Sequence, residues 1–192
     1  MEMPVSLLAR LDEAGLLLQQ DPALPSVAAL VAGGPVRGSW WSHPAAHQIY
    51  HLLNELSAHP DVLTTRLVAG KVTYVHRRLW PAVLGVALSH APWQFAALPP
   101  RARQLYEDVE TQGVVLAAGP AAKELGHRLL VRDEQVHTPA GHHELRLEHW
   151  PLWASRVNAA PLPPREAQAQ LEAALAALGG AARRLPWGKE AA

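Results

Sequence analysis

The chain has 192 residues, 49% of them hydrophobic, and its 17 Lys and Arg residues balance its 17 Asp and Glu residues. Such a chain can bury a real core, so disorder over most of its length is excluded. Its net charge of zero excludes a strong positive field over the whole surface. It contains no cysteine, which rules out disulfides, thiolate metal sites and a cysteine nucleophile.

The first half of the chain is predicted to form helices followed by a β-hairpin. Apolar residues at helical spacing indicate the first helix, and Ser26 is a suitable N-cap for the second, which ends before Gly33. β-Prone runs on both sides of a turn at Gly70 indicate the hairpin. The predicted elements are helices over 5–20, 26–31 and 45–58 and strands over 62–68 and 72–76.

The second half repeats this arrangement and adds a C-terminal helix. The predicted elements are helices over 78–88, 101–112 and 120–130, an extended piece over 114–117, two strands around a turn at 138–141, and a helix over 165–178. Apolar and polar residues alternate along the second strand of the later hairpin, as expected for a half-buried strand. The tail over 183–189 is expected to be a frayed terminus.

Three helices followed by a hairpin resemble the winged helix-turn-helix superfamily over residues 79–150. In this resemblance, helix 120–130 takes the place of the recognition helix and turn 138–141 that of the wing tip. The same order over 5–76, with Trp80 and Trp150 soon after the two hairpins, indicates a weak internal repeat. We therefore expect a mostly α protein with two β-hairpins, an α+β fold of tandem winged-helix-like units. The expected domains are 1–78, 79–158 and a C-terminal helix and tail over 161–192, with 1–158 either divided or forming one compact body.

The middle of the chain is basic although the whole is neutral, because no acidic residue occurs between Asp61 and Glu107. Guanidinium groups pair bidentately with phosphate, and a hairpin presents alternate residues on one face. These features predict a nucleic-acid-binding protein with duplex DNA as its partner, in a regulatory or repair role. The predicted contacts are Arg37, Trp40, Trp41, Arg66, Lys71, Arg77, Arg78, Arg101, Arg103, Lys123 and Arg128.

The Trp-rich loop over 38–44 supports a second hypothesis, a DNA glycosylase-like enzyme or another nucleic-acid hydrolase. Trp40 or Trp41 would stack on an extruded base, whereas the alternative for both is packing between helices. The groups that would handle protons are Ser39, His43 and His76. No orienting acid accompanies them, so the sequence leaves open whether the chain is an enzyme.

Histidines recur every four residues at His43, His47 and His51, and neighbouring pairs at this spacing can share a metal. No further ligand is fixed by the sequence, and capping, core and surface positions explain these histidines better. We therefore predict no metal and no cofactor.

The third functional hypothesis is a protein-interaction module, with a homodimer formed through the apolar side of the C-terminal helix. The N-terminus lacks the basic and apolar regions of a secretion signal. The most apolar window, 79–88, is about half of the roughly 20 residues that a membrane helix needs. These observations, with the absence of cysteine, favour a bacterial cytoplasmic protein that does not enter membranes.

Overall fold

A computed structural model describes residues 5–137 and 143–189, and the predicted turn at 138–141 lies outside the described residues. The helices are α1 (Val5–Ala14), α2 (Val27–Ala32), α3 (Ala46–Ala58), α4 (Trp80–Ala87), α5 (Pro92–Phe95), α6 (Pro100–Gln112), α7 (Pro120–His127), α8 (Trp150–Val157) and α9 (Pro164–Ala177). The strands are β1 (Leu16–Leu18), β2 (Val62–Val68), β3 (Lys71–His76), β4 (Val114–Ala117), β5 (Arg132–His137) and β6 (His143–Glu148). Short 3₁₀ turns cover Trp40–Ser42, Arg77–Leu79, Ala182–Arg184 and Pro186–Lys189. The α+β class predicted from the sequence is confirmed.

The predicted first helix over 5–20 is wrong beyond Ala14, where the chain turns at Gly15 and forms strand β1. Helix α1 ends because Gly15 adopts a left-handed φ of 79°, and the next three residues pair antiparallel with β3. All three leucines of β1 are buried, Leu17 in a different apolar cluster from Leu16 and Leu18. Since both faces of the strand are covered, no polar residue reveals the period of two, and the run is mistaken for a helix.

Both sheets place the last of their three strands in the centre, in the orders β1-β3-β2 and β4-β6-β5. After each hairpin a Trp-Pro pair begins a helix, α4 at Trp80 and α8 at Trp150. The indole N–H of Trp80 donates to the carbonyl of Val75 at 3.2 Å, and that of Trp150 to the carbonyl of Leu129 at 2.9 Å. The two halves therefore share a local topology, although two helices separate β1 from β2 and α7 alone separates β4 from β5.

Helix α9 belongs to the central core, which joins both halves of the chain. Gly85 of α4 permits its close approach, because a Cβ at this position would collide with the carbonyl of Leu162 and the methyl group of Ala167. Leu171 and Leu175, on the apolar side of α9, are fully buried. Burial of such side chains stabilises the fold by about 1.5–3 kcal/mol each, so this side of α9 is occupied within the chain.

The C-terminal tail is packed against the body, contrary to the expectation of a frayed terminus. Trp187 is buried, and its indole N–H donates to Glu172 at 2.8 Å. Arg184 forms an ion pair with the buried Asp21, and the N–H of Ala69 donates to the carbonyl of Arg184 at 2.6 Å. The tail thereby covers the tip of the first hairpin.

Candidate functional site

Two cations of the first hairpin are held by carboxylates of the same chain. Arg66 Nε lies 2.6 Å from Asp133 Oδ2, and Lys71 Nζ lies 2.8 Å from Asp21 Oδ2. Burial alone would raise the pKa of Asp21, but hydrogen bonds from Arg184, from Lys71 and from two backbone N–H groups hold that pKa far below its usual range. Asp21 therefore stays charged and compensates the cations that face it.

The tip of the first hairpin is not free to enter a groove of DNA. Ala69 and Gly70 form the turn with positive φ angles of 53° and 67°. A Cβ at Gly70 would lie 3.2 Å from the imidazole Nε2 of His127 on α7. Burial and the nearby Arg66 guanidinium lower the pKa of His127, so this neighbour tends to be neutral. The turn is thus covered by α7 on one side and by the C-terminal tail on another.

The next two predicted contacts have partners as well. Arg77 makes a largely exposed ion pair with Asp61 at 3.1 Å. Arg78 donates to the carbonyls of Asp12 at 3.0 Å and of Glu13 at 2.9 Å, at the end of α1. These carbonyls lack partners within the helix, and a cation beside them is favourable. Arg78 therefore acts as a C-terminal cap of α1.

The remaining basic positions lie on α6 and on or just after α7. Arg128 pairs with Glu124 at 2.6 Å and donates to three backbone carbonyls in and just after α5, so it joins α7 to α5. Arg101, Arg103 and Lys123 are exposed, and none of them has a partner among the described residues. They line neither of the recesses described next.

Two recesses share part of their walls. The larger lies between the segments 19–22 and 35–40 and the first hairpin, and the smaller lies between α3, the first sheet and β5. Their volumes are about 940 and 510 Å³, and both are lined by Gln19, Trp40, Arg66 and Val72. We call them together the tryptophan groove. The groove includes five of the predicted contacts. Arg37 and Lys71 line the larger recess, Trp41 lines the smaller, and Trp40 and Arg66 line both.

The two tryptophans of the groove have different environments. Trp40 is 5% exposed and packs into the core of the first half, whereas Trp41 is 61% exposed. Their ring centroids are 4.0 Å apart with an interplanar angle of 25°, and the ring of Tyr50 lies 5.5 Å from that of Trp41. The Ser39 hydroxyl accepts the N–H of Trp41 at 3.4 Å, which helps to fix this turn. Trp40 is therefore a core residue, and Trp41 presents an open aromatic face.

The groove carries little uncompensated charge. Arg37 is exposed and, within the described ranges, has neither an ion pair nor a hydrogen-bond partner. Arg66 is matched by Asp133, and Lys71 by Asp21. Arg37 is thus the cation of the groove that remains available to an anionic ligand.

Sequence reasoning missed the walls that flank the tryptophans. Tyr50, Asn54 and Ser57 of α3 line the narrower recess, and their spacing places them on one helix face, which was a detectable signal. The opposite wall, from Asp133 to Gln135 in β5, gave no such signal, because the Arg66–Asp133 pair joins positions 67 residues apart.

Two of the three groups expected to handle protons accept local hydrogen bonds. Ser39 accepts a hydrogen bond from Trp41, and the Nδ1 atom of His43 accepts the N–H of Ala45 at 3.1 Å. His76 Nδ1 lies 3.4 Å from Asp12 Oδ1. None of the three lines the tryptophan groove. Within the described part of the chain, no group of three or more His, Asp or Glu residues is placed to hold a metal.

No helix among residues 5–137 and 143–189 combines the length and the apolar character needed to cross a bilayer. Comparison of the chain with protein-family models, with curated proteins and with solved structures gave no match. The function must therefore be inferred from the tryptophan groove itself.

Proposed function

We propose that the protein binds nucleic acid by stacking an unpaired base on Trp41. The observation that supports this proposal is an indole that is 61% exposed while it rests on the buried ring of Trp40. Stacking of a base on an aromatic side chain contributes about 1–3 kcal/mol per base. Because Trp40 and Tyr50 already orient this ring, little side-chain entropy is lost when a base binds.

An unpaired base fits the observed charges better than a duplex backbone does. The hairpin cations Arg66, Lys71 and Arg77 are paired within the chain, and the hairpin tip is covered. Stacking requires no net charge, and Arg37 at the groove supplies one guanidinium group for a phosphate. We therefore place the contact at the tryptophan groove and infer single-stranded or locally unpaired nucleic acid as the partner.

The order of elements supports a winged-helix-like first half as part of this proposal. Three helices, α1, α2 and α3, precede the β2–β3 hairpin, the order on which the resemblance depends. In this proposal α3 takes the position of the recognition helix, and its residues Tyr50 and Asn54 face the groove. A recognition helix usually enters a groove of duplex DNA. In this proposal α3 would instead form one wall of a binding site for a single base.

Fluorescence anisotropy with short single-stranded and duplex oligonucleotides tests the proposal. Single strands should bind more tightly than duplexes, and Trp41→Ala should weaken binding roughly 5- to 150-fold, the equivalent of about 1–3 kcal/mol. Trp41→Phe should retain part of the affinity. Leu116→Ala is the matched control, because Leu116 is 57% exposed and lies on β4 outside the groove. Unchanged single-strand affinity in Trp41→Ala would refute the proposal.

The salt dependence of binding distinguishes base stacking at the tryptophan groove from phosphate contact through the basic hairpin. If Arg37 contacts phosphate alone or with one further cation, log K against log salt should have a slope of about −0.7 to −1.4 for a single strand. Contact through six hairpin and helix cations would give a slope near −5 on duplex DNA, at about −0.9 per phosphate. A steep slope that becomes shallower by about 0.9 in Arg77→Gln would favour the basic hairpin over the groove.

The other two hypotheses find less support in the geometry. Ser39 and His43 are engaged in local hydrogen bonds and do not line the groove, which leaves a hydrolase without an assembled nucleophile and base. The apolar side of α9 is buried against α4, so a homodimer through it would require α9 to leave the core.

A further inference from the structure

We propose that His47 and His51 form a two-histidine chelate for a divalent transition metal on the exposed side of α3. The two residues lie one helical turn apart, and both side chains are exposed. Their Nε2 atoms are 3.1 Å apart, with ring centroids separated by 4.3 Å. This close approach of two imidazole nitrogens is the observation that distinguishes the pair from ordinary surface histidines.

The separation of the two nitrogens suits a shared metal. Imidazole nitrogens bind zinc at about 2.0–2.1 Å, so two of them at angles between square and tetrahedral lie about 2.8–3.4 Å apart. The observed 3.1 Å falls within this interval. Without metal, one Nε2–H donates to the other nitrogen, and with metal both Nε2 lone pairs face the ion. Binding therefore requires that the proton on one Nε2 atom be replaced by a proton on the Nδ1 atom of the same ring, with little movement of the helix.

The helix that carries the pair is held firmly from its other side. Ile49, Leu52 and Leu56 of α3 are buried in the core of the first half, so the two histidines project from a rigid element. His43, four residues earlier, uses its Nδ1 atom to accept the N–H of Ala45. The described residues provide no third ligand, whether carboxylate or imidazole, to complete the site. The ion would keep water in its remaining positions and would exchange readily.

The ligand type selects the metals. Imidazole nitrogen suits copper, nickel and zinc, and affinities for a given nitrogen site rise towards Cu²⁺ and fall again at Zn²⁺. Cu²⁺ should therefore bind most tightly, followed by Ni²⁺ and Zn²⁺ with weaker affinity. Binding at this pair does not depend on base stacking at Trp41, so the two proposals can fail separately.

Calorimetric titration of the untagged full chain with Cu²⁺ and Zn²⁺ tests this site. We expect one Cu²⁺ per chain at the tightest site, with Cu²⁺ bound more strongly than Zn²⁺, and a copper EPR spectrum that shows coupling to two imidazole nitrogens. His47→Gln and His51→Gln should each raise the Cu²⁺ Kd at least tenfold. His43→Gln is the matched control and should leave the Kd unchanged. Far-UV circular dichroism verifies that each variant is folded.

A second readout depends on the neighbouring aromatic rings. The His51 ring lies 5.8 Å from that of Tyr50, which lies 5.5 Å from that of Trp41, so bound Cu²⁺ should quench the fluorescence of Trp41. The quenching should be lost in His51→Gln and reduced in Trp41→Phe. Unchanged Cu²⁺ affinity in either His47→Gln or His51→Gln would overturn the proposal. An equal loss in His43→Gln would also overturn it, because the pair would then not be the binding unit.

Discussion

Asp21→Ala should destabilise the folded protein more than any removal of a surface ion pair. Asp21 is 2% exposed, and its carboxylate accepts the N–H groups of Ala23 and Leu24, both at 3.0 Å. Its other oxygen contacts Lys71 of the first hairpin and Arg184 of the C-terminal tail. One side chain thus fixes a turn and connects three distant segments.

The expected loss follows from these contacts. Removing one partner of a buried ion pair costs about 3–5 kcal/mol. The side chains of Lys71 and Arg184 are 40% and 24% exposed, so both cations regain water and the loss should lie near the lower end, at about 3 kcal/mol. At about 2–4 °C per kcal/mol for a chain of this size, Tm should fall by about 6–12 °C.

Urea unfolding at neutral pH measures this loss. Asp21→Asn keeps an oxygen for the two backbone N–H groups and should lose less than Asp21→Ala. Asp61→Ala is the control, because its ion pair with Arg77 is exposed and should contribute no more than about 1 kcal/mol. If Asp21→Ala and Asp61→Ala lose equal stability, the contacts of Asp21 do not have the assigned role.

Acid should have the same effect as the substitution. The pKa of Asp21 is lower in the folded than in the unfolded chain, so its contribution is fully present above the unfolded pKa of about 3.9 and is lost as the pH falls towards the folded value. The wild type should therefore lose more stability than Asp21→Asn as the pH falls below about 3.9. Parallel stability curves for the two proteins would contradict this assignment.

Three further predictions concern other parts of the fold. Gly85→Ala should cost about 1–3 kcal/mol of unfolding free energy, because its methyl group would meet Ala167 of α9; an unchanged urea midpoint would show that the two helices can separate freely. Arg78→Ala should cost about 1 kcal/mol and speed amide exchange in α1, since two carbonyls lose their donor; exchange at the wild-type rate would contradict the capping role. Burial lowers the pKa values of His127 and His149, so the folded chain binds fewer protons than the unfolded chain and stability should fall as the pH drops below about 6.5. Replacing both with Gln should flatten that part of the stability curve, and an equally steep curve in the double variant would assign the effect to other groups.

Local signals predicted most of the secondary structure. The hairpin around Gly70 follows from its turn and the flanking β-prone residues, and both strands are present. Elements that depend on distant partners were missed. Strand β1 has three leucines and no polar residue to mark its period, and it is a strand because β3 lies beside it. The C-terminal tail is ordered through the contact of Arg184 with Asp21, 163 positions away, which no local pattern can indicate.

The candidate site was partly predictable, because some of its features are local in sequence and others depend on distant residues. Two adjacent tryptophans in a turn stand out in any sequence, and the structure gives one a core role and the other an exposed role. The charge of the first hairpin was overestimated because its neutralising carboxylates lie elsewhere in the chain. Asp133, which compensates Arg66, comes from the second hairpin, outside the basic middle of the chain.

The most direct test of base stacking is ¹⁹F NMR of the chain labelled with 5-fluorotryptophan, in which seven tryptophans report separately and Trp41→Phe assigns the resonance of interest. Addition of a single-stranded oligonucleotide should shift the Trp41 resonance through the ring current of the stacked base, while the signals of the buried Trp150 and Trp153 stay in place. Saturating oligonucleotide that leaves the Trp41 signal unmoved would contradict the proposed function.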